Sequence, residues 1–315
     1  MPTFWSAAAG KLVERWLASG LASAVYWLVM VLAWAAGQRH PRQALAGRLD
    51  TVGAMRAGEQ IALLLVALVG LAASGLLMRQ LTLPALRLLE GYWPRFLSSV
   101  SERLCAGHAR RRATDSAEWR VLYDRLEAAP PAAGPAAPLS AAERAEYARL
   151  EARLRWSPRD PALTMPTRVG NILRATEAEP HHKYGLDAVL LWPHLWTLLP
   201  EAFQRDLSVA RQRLDAAVAA GLWALLVLPA VYWTPWALSA LLFTPAAWGW
   251  WLPRACQDYA VLLQVAFDLH RRELYRALRH PLPANAADEP AAGLRLTAYV
   301  YRGSDDPALV FDPGD

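Results

Sequence analysis

Four apolar runs limit what this chain can fold into. They cover residues 17–37, 61–78, 214–233 and 236–253, and no Asp, Glu, Lys, Arg or His lies deep inside any of them. Asp215 sits at the edge of the third and Pro229 falls inside it. As helices, the first two would be about 30 Å and about 27 Å long, close to the thickness of a bilayer's hydrocarbon core. The first follows Lys11 and Arg15, but its apolar stretch is longer than the core of a signal peptide, so it reads as a retained membrane helix. Thr234-Pro235 joins the last two runs, and Trp233, Trp236, Trp248, Trp250 and Trp251 mark the ends of that hairpin as an aromatic belt would. Charged residues are 19% of the chain, below the roughly 25% of a soluble domain. The fold class predicted is an all-α integral membrane protein with about four transmembrane helices in two hairpins, residues 1–78 and 214–253.

The polar remainder is rich in arginine; lysine occurs only at Lys11 and Lys183, and the net charge is +5. Residues 79–213 form a helical insert. Pro84 and Pro94 are expected to break or bend its first helix, and Arg110, Arg111 and Arg112 close that stretch. Two charged helices follow, near 115–129 and 141–156, joined by a Pro/Ala/Gly linker at 129–140. Ser140 with Glu143 is a capping box opening the second. After the fourth run, residues 254–280 read as an amphipathic helix in a region 254–315 that ends in a tail. Leu294, Leu296, Ala298 and Val300 alternate, which predicts a small β-hairpin at the C-terminus. Arginine counting places the insert and the tail in the cytoplasm, with both termini inside.

The most particular residues lie at 165–200. Thr167 is positioned to cap a helix behind Pro166. Arg168, Asn171 and Arg174 follow at i, i+3 and i+6, and two guanidiniums with an amide make a candidate anion site for a phosphate or carboxylate. The alternative is that the arginines pair with Glu177, Glu179 or Asp187 and hold the local fold. Gly170 inside this helix costs about 1 kcal/mol against alanine, which close packing would offset. Tyr184-Gly185-Leu186-Asp187 reads as a turn with Asp187 capping the next helix. That helix carries Trp192, Pro193 and Trp196, is apolar nearly all round, and is expected to lie at or near the membrane with a kink at Pro193.

The pattern made by Pro166, Thr167, Arg168, Gly170, Asn171, Arg174, Tyr184, Gly185, Asp187, Trp192, Pro193 and Trp196 resembles a stretch of uncharacterised bacterial membrane proteins with paired hydrophobic runs. The resemblance implies the bacterial inner membrane and no catalysis. The chain has no GxxxxGK[ST], GxSxG, HExxH or CxxC pattern, so no enzyme, cofactor or metal is expected. Cys105 and Cys256 lack metal-ligand spacing.

These features predict an oligomeric membrane effector or channel-like protein, gated through its cytoplasmic part by a ligand such as a nucleotide or oligonucleotide, in a layout shared with membrane effectors of bacterial antiviral defence. In that reading Thr167, Gly170, Tyr184, Gly185, Asp187, Trp192, Pro193 and Trp196 couple the insert to the last membrane hairpin. The alternative function is a membrane-anchored scaffold that recruits a cytoplasmic partner protein.

Overall fold

A computed structural model of the chain describes residues 21–128 and 139–303. All regular structure among them is helical. The elements are α1 (Leu21–Ala36), α2 (Pro41–Gly53), α3 (Ala57–Glu90), α4 (Ser98–Glu127), α5 (Ala141–Arg155), α6 (Arg168–Tyr184), α7 (Ala188–Leu198), α8 (Glu201–Val227), α9 (Ala240–Ala246), α10 (Leu252–Ala277) and α11 (Glu289–Arg302). They fall into two compact units: Met1–Leu86 with Asp215–Leu252, and Arg87–Leu214 with Pro253–Asp315.

The first unit carries the apolar runs. Two helices, those containing the second and third runs, are long and apolar enough to cross a membrane. A third span is reached if α1 and α2, bent by 120° at the break between them, count as one. Only 11% of the apolar stretch of α3 is buried within the protein, so its Ile61, Leu64, Val66 and Val69 are exposed. A helix apolar all round and left exposed in water would be unstable; lipid is the solvent that fits it. Tryptophan and tyrosine tie the helices together. The Trp27 indole donates to Ser74 Oγ at 3.3 Å and the Tyr26 hydroxyl to the Leu226 carbonyl at 3.3 Å. A Cβ added at Gly70 would meet nothing within 4 Å; Ser74, one turn on, makes the contact with Trp27.

The fourth run does not form a continuous spanning helix. It is broken into a 3-10 turn (Pro235–Ser239), the short α9, and a π-turn (Ala247–Trp251) before α10 begins. Pro245, inside α9, removes a backbone donor and crowds the preceding turn just before the π-turn, whereas Pro235 opens the first turn, where proline is tolerated. The Trp248 indole fixes this segment against α8 by donating to the Val218 carbonyl at 3.2 Å. Pro84 does not break its helix. α3 runs through it to Glu90 and stops only at Gly91, whose φ of +108° favours glycine.

In the second unit α4 and α5 form an antiparallel hairpin. Arg125 pairs with Glu143 at 2.7 Å near one end, and Arg153 with Asp115 at 3.3 Å further along. The predicted capping box forms: Ser140 Oγ accepts from Glu143 N at 3.2 Å, and Glu143 accepts from Ser140 N at 2.8 Å. The linker expected at 129–140 lies, up to residue 138, outside the described residues. The core is shared by α7, α10 and α11, where Leu191, Leu195, Phe267, Leu274 and Leu296 are wholly buried. One face of α7, with Leu191 and Leu195, is thus covered by protein, while Val189 is exposed. Pro193 is on the exposed side, and the helix passes through it without ending. The predicted strand at 294–301 is helical instead, as part of α11. Ala292 and Leu296, four residues apart, are buried, and Val300 packs against the same core one turn later, so helical spacing governs over the alternation. The other half of the expected β-hairpin lies outside the described residues.

One buried group in this unit makes stability depend on pH. His280 is 3% exposed, and among the described residues neither its ring nitrogens nor the neighbouring Tyr275 hydroxyl has a hydrogen-bond partner. Burial pushes the imidazole below its ordinary value of 6.5; the Pro281 backbone opposes this weakly, and the Arg295 charge adds to it. A base depressed in the folded state takes up its proton more readily when unfolded. Its contribution is therefore present above pH 6.5 and is lost as pH falls from there toward the folded value. His280→Leu should remove this acid-side loss and leave stability at pH 8 unchanged or higher. Thermal unfolding at pH 5 and pH 8 checks it; a larger acid-side loss in the variant would refute the assignment.

Candidate functional site: an arginine-lined cavity

The central motif folds as a connected set of backbone contacts. Thr167 Oγ1 accepts from Gly170 N at 3.0 Å, capping α6, while its hydroxyl donates to the Leu89 and Glu90 carbonyls at 2.7 and 3.0 Å. One side chain thus serves the first turn of α6 and the last turn of α3, satisfying groups that helix ends otherwise leave open. Gly170 makes that approach feasible: a Cβ there would lie 1.9 Å from the Glu90 carbonyl oxygen.

At the other end of α6, Gly185 adopts the left-handed conformation at φ 69° and returns its N–H to the His181 carbonyl at 2.9 Å. Asp187 Oδ1 accepts from Leu190 N at 3.0 Å, capping α7, and its own N–H donates to Thr297 Oγ1 on α11 at 3.1 Å. The Tyr184 hydroxyl donates to Asp268 Oδ1 at 2.6 Å, with Arg271 lying over its ring at 4.1 Å. Burial first, and Asp268 second, push this phenol up to about 12. Trp192 and Trp196 pack together, ring centroids 5.8 Å apart, at the edge of the core.

Of the three residues proposed to hold an anion, Arg168 and Asn171 line one cavity and Arg174 does not. Asn171 is 5% exposed and spends its amide on backbone: it accepts from Met165 N at 2.8 Å and donates to the Met165 and Thr167 carbonyls, each at 2.9 Å. Arg174 pairs with Glu177 at 3.3 Å and donates to the Tyr92 hydroxyl at 3.1 Å, which is the alternative, fold-holding role. Glu177 itself is raised by burial, against the pull of Arg174.

Arg168 is exposed and lines a cavity of 620 Å³ that Arg174 does not reach. Four segments build it. Arg111, Arg112 and Asp115 come from α4, Arg149 and Arg153 from α5, Arg168 from the first turn of α6, and Gln257 from α10. Trp156, just past α5, completes the wall. The lining holds five arginines against one carboxylate, Asp115, and that carboxylate is engaged by Arg153. Arg149 reaches outward to Glu146 at 2.9 Å. Arg112 braces the wall, donating to the Leu154 and Ser157 carbonyls at 2.8 and 2.7 Å; burial and then the neighbouring Arg159 hold its pKa below the usual guanidinium value. Among the described residues Arg111 and Arg168 have no carboxylate partner.

A second cavity of 580 Å³ shares Arg112, Leu154 and Ser157 with the first. Its lining is less one-sided: Arg112, Arg120, Arg155, Arg159 and Lys183 face Glu151, Glu179 and Asp268, with Arg159 pairing Glu179 at 3.0 Å and Lys183 pairing Asp268 at 3.4 Å. The contrast decides which cavity suits an anion. Guanidiniums left without carboxylates in a concave site, next to a helix N-terminus, are the chemistry that recognises phosphate.

Sequence reasoning found Arg168 and missed Arg111, Arg112, Arg149 and Arg153. The signals were the basic triplet ending at Arg112 and the i, i+4 pair Arg149/Arg153, both of which read as solvated surface. Among the described residues no group of three or more His, Cys, Asp or Glu is placed to hold a metal. Comparison with protein families, with curated proteins and with solved structures finds no match.

Proposed function

We propose that this chain is an oligomeric, channel-like effector of the bacterial inner membrane, gated by a phosphate-bearing ligand that binds its helical cytoplasmic unit. The observation that carries the reading is the arginine-lined cavity, in a chain whose other unit exposes uncharged helices of bilayer length. Ligand binding would draw α4, α5 and α6 together by neutralising Arg111 and Arg168. The start of α6 holds the final turn of α3 through Thr167, and α3 continues as the second apolar run, which gives the signal a route to the membrane.

The test is ion flux from liposomes reconstituted with the full chain, with tripolyphosphate and nucleoside triphosphates added as probes. A flux that changes with probe in the native protein and fails to respond in Arg168→Ala supports the proposal. Flux indifferent to every probe, from a protein that purifies as a monomer, would sink it.

A second reading, a membrane-anchored scaffold, is favoured by one feature of the α4–α5 hairpin. Val121, Tyr123 and Leu126 leave apolar area exposed on α4. A stoichiometric protein partner in the same purification, lost when Val121 and Leu126 become serine, would favour the scaffold over the gated channel.

A further inference from the structure

We infer that the arginine-lined cavity takes one nucleoside polyphosphate, its phosphates on Arg111 and Arg168 and its base against Trp156 and Gln257. This rests on reading the cavity as an anion site, and adds to it the identity of the non-anionic half of the ligand.

Three observations lead to it. The first is charge. With Asp115 taken up by Arg153 and Arg149 drawn to Glu146, Arg111 and Arg168 remain uncompensated beside three further guanidiniums. That excess suits two or more phosphates better than a single carboxylate. The second is size. At 620 Å³ the cavity lies within the roughly 300–1,000 Å³ of sites that enclose one small ligand. Extended single strands follow grooves with sites of about 4–16 nucleotides, so a space of this size suits a single nucleotide better.

The third is the wall away from the arginines. Trp156 offers an aromatic surface, which a site for phosphate alone does not need, and Gln257 an amide with both donor and acceptor that can meet the edge of a base. Arg155 lies over one face of the Trp156 ring with its guanidinium carbon 4.8 Å from the centroid, which holds the ring, so a base would stack on the opposite face. A pre-set aromatic surface limits the ordering cost of binding. Every nucleobase has a face to stack on it.

The experiment uses the full chain in detergent at fixed ionic strength. Calorimetry measures binding of ATP, GTP, inorganic tripolyphosphate, adenosine and inositol trisphosphate to the native protein and to Trp156→Ala, Trp156→Phe and Arg168→Ala. The nucleotides should bind the native protein at least tenfold more tightly than tripolyphosphate, in line with the stacking contribution of a base. Trp156→Ala should erase that difference while tripolyphosphate binding persists, which also reports that the variant is folded; Trp156→Phe should keep most of it. Arg168→Ala should weaken the nucleotides and tripolyphosphate alike. Equal affinity for ATP and tripolyphosphate in the native protein would overturn the base platform and leave the anion cavity standing. Inositol trisphosphate binding more tightly than either nucleotide would replace the nucleotide by a lipid headgroup. No binding of any phosphate probe would remove the anion cavity itself.

Discussion

Gly170→Ala should destabilise the helical unit by about 2–3 kcal/mol, although alanine is the better helix former by about 1 kcal/mol. The added methyl would sit 1.9 Å from the Glu90 carbonyl oxygen and 2.8 Å from Met165 Cβ. A side-chain end could swing away from such a contact. A carbonyl in the last turn of a helix cannot do so alone, and this one also accepts from Thr167. Relief therefore requires α6 to lift off the end of α3, which breaks the Thr167 contacts and opens part of the cavity behind Arg168. The control is Gly70→Ala in the apolar stretch of α3, where nothing lies within 4 Å of the new methyl; it should be neutral or mildly stabilising. Thermal unfolding of both variants in detergent separates the outcomes. Equal midpoints would show that the α3–α6 approach is not tight in the folded protein.

What could be read from the sequence was what depends on neighbours three or four residues away. Ser140 with Glu143, Thr167 and Asp187 all cap their helices as their spacing predicts. The helical core and the long apolar stretches were legible for the same reason, since periodicity and length are local properties. The errors arose where two local rules compete or where the answer is not local. Leu294, Leu296, Ala298 and Val300 satisfy a period of two, while Ala292, Leu296 and Val300 satisfy a helical one, and packing of α11 on α7 and α10 selects the helix. In the fourth apolar run, hydropathy announces a span, but Pro245 interrupts the backbone and the run divides into short turns. The cavity is the clearest non-local case. Its arginines come from α4, α5 and α6, and only the antiparallel pairing of α4 with α5, set by Asp115–Arg153 and Arg125–Glu143, turns separate surface charges into one lining.

The two arginines that spacing made equivalent should separate sharply on substitution. Arg168→Ala should weaken binding of tripolyphosphate by about 10- to 100-fold, because a guanidinium without a carboxylate partner would give its charge-assisted hydrogen bonds to the ligand, and such bonds contribute about 1.5–3 kcal/mol. It should leave the unliganded protein as stable as before or slightly more so, since one like charge is removed from a cavity that holds five arginines. Arg174→Ala should do the opposite. Its guanidinium faces Glu177 and the Tyr92 hydroxyl, outside the cavity, so affinity for tripolyphosphate should stay within about twofold. Stability should fall, and modestly, because the Glu177 pair is partly exposed and such pairs contribute about 1 kcal/mol or less. Salt gives a further separation. Adding salt weakens the native interaction with a polyanion, and this dependence should flatten in Arg168→Ala and persist in Arg174→Ala. Calorimetric titrations at two ionic strengths, with thermal unfolding of the same samples, measure all of these quantities. If the two substitutions weakened binding equally, the anion site would have to include the outer face of α6, and the cavity would lose its claim to be the place where ligand meets protein.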